Sequence, residues 1–375
     1  MKLNLIPNRY NKLVSFIVIL PIILLTSSCE KADAKVNDPS LDINPDSLKG
    51  LKDYYNDYFP IGVAVAPSSL SGTSSVLILK NFNSLTAEDV MKPGLIHPEE
   101  KRFYWDNADK IVNFAQTNGL KMRGHTLVWH KQTPSWMFKD AAGNTVSKEV
   151  LLARLKEHIT QAVTRYKGKV YAWDVVNEAL DDNDSKFYRE TNWYKICGEE
   201  YIAKAFQWAH EADPEALLFY NDYNTEFAGK RDKVYRLVKQ LLDAGVPIHG
   251  IGLQGHWNIV NPSEQDLRSA IEKYSSLGLK IQITELDVSV YASGETSPTD
   301  NVFTAEREQK QLEKYKMIFR VFRDYKDVIN GVTFWNVSDK SSWLDNFPVR
   351  GRKNYPLLFD QNLKPKKAYW EVVKF

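Results

Sequence analysis

The sequence has 375 residues, of which 43% are hydrophobic and 26% charged, and its formal net charge is +2. This composition is ordinary for a folded soluble protein, and the nearly neutral charge without an extended basic stripe argues against nucleic acid as a partner. Length alone permits two or three domains, although α/β barrels of this size often form a single one.

The first residues have the pattern of an export signal. Lys2, Arg9 and Lys12 form a basic region before the apolar run 13–25, which is too short to span a bilayer comfortably. The run leads into Leu-Thr-Ser-Ser-Cys, which resembles a bacterial lipoprotein signal cleaved before Cys29. An ordinary secretory signal with an incidental cysteine is the alternative interpretation.

The chain is therefore predicted to have three segments. These are a signal peptide over 1–28, a polar tether over 29–50 that starts at an acylated Cys29, and one folded domain over 51–375. The charged residues after Cys29 resemble export tags of surface lipoproteins. We therefore expect secretion across the inner membrane and a lipid anchor in the outer membrane or at the cell surface, with the periplasm as the alternative. Only Cys197 would remain as a thiol, which excludes an internal disulfide.

Strand-like runs alternate with helical patterns through the rest of the chain. The predicted strands are 61–66, 84–90, 122–129, 170–177, 217–221, 250–255, 280–287 and 331–336. Apolar spacing predicts helices over 106–118, 147–166, 192–212, 229–244, 263–277, 305–328 and 364–373. Ser147 and Ser263 are expected to cap two of these helices, and Gly119, Gly245 and Gly278 to end others.

This alternation predicts an α/β fold with a parallel sheet, and the strand count favours a closed (β/α)8 TIM barrel forming a single domain. No GxGxxG or P-loop motif follows the first strand, which disfavours a dinucleotide-binding fold. In a barrel of this kind, functional side chains gather at the carboxyl ends of the strands. The polar residues at those ends are therefore the candidates for a functional site.

Two glutamates lie at the carboxyl ends of predicted strands. Glu178 directly follows the fourth strand, and Glu285 lies near the end of the seventh. A glycosidic bond is cut by a carboxylic acid that protonates the leaving oxygen and a second carboxylate on the other side of the sugar. The 10 Trp and 19 Tyr residues suit a carbohydrate cleft, because sugars have apolar faces and a hydroxyl rim. Most of these aromatic residues are nevertheless expected to belong to the core.

Other polar and aromatic residues lie close to the two glutamates in the predicted barrel. Asn177 precedes the first glutamate, and we hypothesise that His256 bridges Glu285 and Asp287 and keeps Glu285 ionised. A purely structural histidine is the alternative. Further candidates at strand ends or in the loops that follow them are Glu88, Asp89, Lys92, His125, Trp129, Gln132, Gln254, Trp335 and Trp343. No His, Cys, Asp or Glu set has metal-ligand spacing, so we expect chemistry without a metal or a cofactor.

Seven motifs in order over residues 50–375 resemble those of family 10 xylanases in glycoside hydrolase clan A. They are TAEDVMK (86–92), GHTLVWHKQTPSW (124–136), WDVVNEAL (173–180), YNDYN (220–224), GIGLQGHW (250–257), ITELDV (283–288) and FWNVSDKSSW (334–343). The resemblance implies that Glu178 is the acid/base, that Glu285 is the nucleophile, and that Asn177 binds the sugar 2-hydroxyl. It also implies that His256 and Asp287 support the nucleophile.

By the same resemblance, substrate contacts near the cleavage point are Glu88, Lys92, His125, Trp129, Gln132 and Gln254, with an aromatic platform at Trp335 and Trp343 and a leaving-group contact at Tyr223. Two positions depart from the family pattern, since Asp89 stands for an Asn that bonds a sugar hydroxyl and Pro93 stands for a Trp. An ionised Asp can only accept hydrogen bonds. These departures put affinity on the non-reducing side in doubt.

The resemblance implies a retaining endo-β-1,4-xylanase that acts on xylan or xylo-oligosaccharides. A β-1,4-glucanase is the alternative within the same class, because the two substrates differ by a CH2OH group. A surface glycan-binding lipoprotein that no longer cleaves is the alternative in a different class. A monomer is the default expectation. The basic run 349–353 could meet acidic side groups of xylan, but a solvated charge run is the preferred interpretation.

Overall fold

The computed structural model describes residues 49–375, which belong to one compact unit. The predicted signal peptide, Cys29 and nearly all of the tether lie outside the described residues. None of the helices in the described part combines the length and the apolar character that crossing a bilayer requires.

Eight parallel strands form the closed barrel predicted from the sequence. They are β1 (Ile61–Val65), β2 (Ser84–Ala87), β3 (Lys121–Val128), β4 (Ala172–Asn177), β5 (Leu217–Asp222), β6 (Gly250–Leu253), β8 (Lys280–Ser289) and β9 (Ile329–Phe334). Each strand pairs with its neighbour in this order, and the pairing of β9 with β1 closes the ring. The short strand β7 (His256–Asn258) pairs in parallel with the end of β8.

Helices separate the strands and cover the barrel. They are α1 (Leu51–Tyr54), α2 (Gly72–Asn81), α3 (Pro93–Ile96), α4 (Asp106–Thr117), α5 (Lys148–Arg165), α6 (Asn192–Cys197), α7 (Glu200–Ala212), α8 (Ala228–Asp243), α9 (Glu264–Ser275), α10 (Ala305–Asp324) and α11 (Lys367–Val373). Ser147 and Ser263 accept hydrogen bonds from the first turns of α5 and α9, which confirms both predicted caps. The helix predicted over 192–212 is instead divided at Gly198, whose φ of 62° ends α6.

The barrel interior holds polar groups as well as apolar ones. The guanidinium of Arg123 on β3 forms a buried, bidentate ion pair with Asp174 on β4 and also donates to Gln282 on β8. Beside this pair, Gly124 packs so closely on Trp173 that a Cβ atom would lie 2.2 Å from the indole ring. The pairing of β3 with β4 at this point therefore requires a glycine. This pairing positions the ends of both strands, where the site is built.

Candidate active site

The carboxyl ends of the strands open into a cleft of about 720 Å³. A cleft of this size is ordinary for a ligand site. Its walls contain every residue that the sequence predicted for the site except Gln132, which lies exposed on the loop after β3. Among residues 49–375, no group of three or more His, Cys, Asp or Glu side chains is arranged to hold a metal ion.

Glu178 follows β4 and has a buried carboxyl group. Its φ of 58° lies in the left-handed region, which residues other than glycine rarely adopt and which is often found at functional sites. Nε2 of Gln254 donates to Oε1 at 3.0 Å, whereas Oε2 has no hydrogen-bond partner among the described residues. Nδ1 of His130 lies 3.8 Å from Oε2. Burial lowers the pKa of His130 to about 4, so at neutral pH this imidazole is uncharged.

Glu285 on β8 is held from both sides. Nδ2 of Asn221 donates to its Oε1 at 2.8 Å, and Nε2 of His256 lies 3.2 Å from its Oε2. The other ring nitrogen of His256 lies 3.0 Å from Oδ2 of Asp287, which also accepts a hydrogen bond from the indole of Trp343 at 2.8 Å. The structure thus places His256 between the two carboxylates, as the sequence hypothesis required.

The charges around Glu285 keep it ionised. Burial alone would raise the pKa of this carboxyl, but the adjacent His125, His256 and Lys92 lower it to about 2. Burial would likewise lower the pKa of His256, yet Asp287 and Glu285 raise it to about 10. At neutral pH the site therefore contains an imidazolium between two carboxylates, and Glu285 is available as a nucleophile.

Asn221 on β5 joins the surroundings of the two glutamates. Its Nδ2 lies 2.9 Å from the amide of Asn177 as well as 2.8 Å from Glu285, and Thr284 donates to its carbonyl oxygen at 2.6 Å. The sequence analysis overlooked Asn221, although it lies within the YNDYN motif. Its period-two position on β5 was the available indication, because Tyr223, which was selected, points to the same face.

His125 on β3 is oriented by the ion pair of Arg123 and Asp174, which the sequence analysis also overlooked. Its Nδ1 lies 2.8 Å from Oδ2 of the fully buried Asp174, and 3.9 Å from Oε1 of Glu285. Burial would raise the pKa of Asp174, but Arg123 and His125 hold it below its usual range. Arg123 was not recognisable as a site residue, because only the closed barrel brings it beneath the cleft.

On another wall, Lys92 lies between an acid and two aromatic rings. Its Nζ is 2.7 Å from Oδ1 of Asp89 and lies 5.1 Å from the ring centre of Trp129 and 5.8 Å from that of Trp335. Burial and the neighbouring Asp89 raise the pKa of Glu88 to about 7. Asp89, the departure from the family pattern, therefore forms an ion pair with the lysine.

Arg189 connects Tyr223 to the backbone of Glu178 through hydrogen bonds. Its Nε donates to the carbonyl oxygen of Glu178 at 3.1 Å, and its Nη2 donates to the Tyr223 hydroxyl at 2.8 Å. Asp182 accepts from both Arg189 and Tyr223. The loop after β4 thus fixes Tyr223 relative to Glu178.

The comparisons with known proteins agree with this geometry. The model of glycosyl hydrolase family 10 matches residues 50–375. A β-1,4-xylanase of Dictyoglomus thermophilum is 50% identical over 361 residues, which cover 96% of this chain and 98% of the relative. A xylanase of Paenibacillus barcinonensis, solved with a conduramine derivative, superposes with a TM-score of 0.85 at 50% identity over 86% of this chain and 98% of that one. An endo-1,4-β-xylanase of Caldicellulosiruptor owensensis gives the same TM-score and identity over 87% of this chain and 100% of that one. The chain belongs to glycosyl hydrolase family 10.

Proposed function

We propose that the protein is a retaining endo-β-1,4-xylanase that cuts internal bonds of xylan. The observation that supports this most strongly is the contrast between the two buried glutamates. Glu285 is surrounded by His256, Asn221 and Lys92 and is ionised, whereas Oε2 of Glu178 has no described partner and is free to meet a leaving oxygen. The xylanase names of relatives at about half identity support the choice of xylan.

In the proposed first step, an oxygen of Glu285 attacks the anomeric carbon while Glu178 gives its proton to the departing glycosidic oxygen. The carbon–oxygen bond to the leaving chain breaks as the bond to Glu285 forms. In the second step, Glu178 takes a proton from water, which displaces Glu285 from the same carbon. Two inversions at one carbon retain its configuration.

A short separation between the carboxyl groups is required, because retaining enzymes keep them about 5–5.5 Å apart whereas inverting ones leave room for a water. Support comes from the amides that bridge the pair. Asn221 contacts both Glu285 and Asn177, and Gln254 contacts both Asn177 and Glu178. The two glutamates are thus joined to each other through three amides.

The test measures reducing-sugar release from glucuronoxylan, arabinoxylan and carboxymethylcellulose, together with the anomeric configuration of the first product by NMR. Xylan cleavage with a β-configured first product, absent from Glu285→Ala, would support the proposal. An α-configured first product would refute retention. Activity on the cellulose derivative alone would make the protein a glucanase. Binding without cleavage would make it a glycan-binding protein.

We also propose that the enzyme is secreted and anchored by lipid on Cys29 in the outer membrane or at the cell surface. The lipoprotein-like sequence before that residue supports this, although it lies outside the described residues. Labelling with a fatty-acid analogue in the native type of host tests it. The label should be present on the full chain and absent from Cys29→Ser, while labelling of neither would contradict the anchor.

A further inference from the structure

Phe347 is the most exposed large apolar side chain on the cleft wall. It is 56% exposed, whereas Trp335 and Tyr291 on the same wall are 5% and 3% exposed. A single exposed aromatic residue needs no explanation on a general surface. In the cleft of a glycoside hydrolase it has a possible partner, because a pyranose ring presents an apolar face that can cover a phenyl ring.

The phenyl ring has a fixed orientation relative to the reacting groups. It stacks on the indole of Trp343, with ring centres 5.1 Å apart and planes 24° from parallel. The Trp343 indole donates to Asp287, and Asp287 contacts His256, which contacts Glu285. A chain of direct contacts therefore runs from Phe347 to the nucleophile.

The loop that carries Phe347 is closed at its base. Asp345 accepts hydrogen bonds from Nζ of Lys353 at 2.6 Å and from the backbone of Asn354 at 2.8 Å. The buried guanidinium of Arg352 lies 3.8 Å from the ring centre of Tyr291 and donates to the carbonyl oxygen of Glu295. These contacts hold the base of the loop in place before any ligand binds, and an ordered loop lowers the entropic cost of binding.

The same contacts bear on the charge of the ligand, because they engage two cations of the loop. Within the basic run 349–353, Arg352 and Lys353 are engaged with the protein, so the interpretation of the run as solvated charge is wrong for both residues. An acidic side group would find neither of these two cations available, and the third cation of the run, Arg350, is exposed but does not line the cleft. The loop instead offers an apolar ring, and Asn258 and Ser293, which line the same cleft and bond to each other, provide polar groups suited to sugar hydroxyls.

We propose that Phe347 is the platform of an additional subsite at the rim between the loops after β8 and β9. The subsite binds one neutral xylose residue of the substrate chain, beyond the one at the Trp343 platform, by contact between its apolar face and the phenyl ring. This inference rests on the proposed xylanase function. Longer substrates reach the subsite and shorter ones do not.

The test compares Phe347→Ala and Phe347→Trp with Trp370→Ala, in which an aromatic residue of similar exposure is removed from α11, outside the cleft. The constant kcat/KM is measured on xylotriose, xylotetraose, xylopentaose, xylohexaose and an aryl xylobioside. For Phe347→Ala we expect a loss of about fivefold on the longest substrates through KM, and no change on the aryl xylobioside. Phe347→Trp should restore the loss, and Trp370→Ala should show none.

Calorimetry of xylohexaose binding in the Glu285→Ala background separates this subsite from the overall function. Phe347→Ala should weaken binding about fivefold there, even if the parent protein proves to bind xylan without cutting it. Equal losses on all substrate lengths, or unchanged binding of xylohexaose, would overturn the proposal. A Glu285→Ala protein that binds no xylo-oligosaccharide would remove both the subsite and the xylan assignment.

Discussion

Replacing His256 with Asn tests how the nucleophile is kept ionised. Asn keeps a polar side chain at the position but cannot carry a proton charge. Nε2 of His256 lies 3.2 Å from Glu285, and Nδ1 lies 3.0 Å from Asp287. The substitution therefore removes the cation from between two buried carboxylates while His125 and Lys92 remain.

The magnitude follows from the pKa values. The pKa of Glu285 falls from its ordinary 4.5 to about 2 in the native site. That difference corresponds to about 3 kcal/mol at about 1.4 kcal/mol per pH unit. His256 lowers the pKa of Glu285 both by a hydrogen bond and by its charge. The burial that raises this pKa remains in the variant. We expect the pKa of Glu285 to rise by about one to two units in the variant.

The sign of the pH dependence follows from the same values. Because the native pKa of Glu285 is lowered, its ionised form stabilises the fold above about pH 4.5, and this contribution is lost as the pH falls toward 2. Because the native pKa of His256 is raised from 6.5 to about 10, its protonated form stabilises below 6.5, and this contribution is lost as the pH rises through 10. As the pH is lowered, the activity of the variant should therefore begin to fall at a higher pH than the activity of the parent protein.

The assay measures kcat/KM against pH on an aryl xylobioside whose leaving group needs no proton, so the acid limb reports the nucleophile. His210→Asn, which changes a histidine on α7 outside the cleft, is the matched control. Thermal unfolding of both variants establishes that they are folded over the range used. A folded His256→Asn protein whose acid limb coincides with that of the parent would refute the electrostatic argument.

Three further substitutions probe separate parts of the site and fold. Glu178→Ala should slow xylan hydrolysis by at least about a hundredfold but reduce the first step on activated aryl substrates far less, and equal losses in single-turnover assays would contradict the acid/base role. Arg189→Met frees the Glu178 carbonyl and should lower kcat on xylan more than on activated substrates; a change in KM alone would argue against positioning. Gly124→Ala forces a Cβ against Trp173 and should destabilise the fold by about 2 kcal/mol or more, measured by denaturant unfolding; an unchanged midpoint would contradict this packing.

The sequence was sufficient to predict the barrel because each strand is a short apolar run between helices of clear periodicity. The strand β1, for example, is buried along its whole length, as expected for a parallel strand covered on both faces. The break at Gly198 was missed because the apolar spacing continues on both sides of it, so periodicity alone gave one helix. A glycine inside a helical pattern was the available indication.

Within the site, side chains near the two glutamates in sequence were easier to find than side chains that act through the closed barrel. His256 and Asp287 were predicted as partners because Asp287 lies two positions after Glu285, on the same face of a strand. Arg123 carries no such local pattern, and the position of Asn221 two residues before Tyr223 does not show which side chains Asn221 meets. Their contacts depend on β3 meeting β4 and on β5 lying between β4 and β6, which only the assembled ring determines.

The two departures from the family pattern have different consequences. Pro93 is buried at the start of α3, outside the cleft wall, where a proline suits the first helical turn. Asp89 lies on the wall and holds Lys92, which also contributes to lowering the pKa of Glu285. Since His125 and His256 act on Glu285 more strongly than Lys92 does, an altered position of the lysine leaves the nucleophile ionised. We therefore expect Asp89 to change how the cleft binds sugar hydroxyls beside Lys92 and to leave the proposed chemistry at Glu178 and Glu285 unaffected.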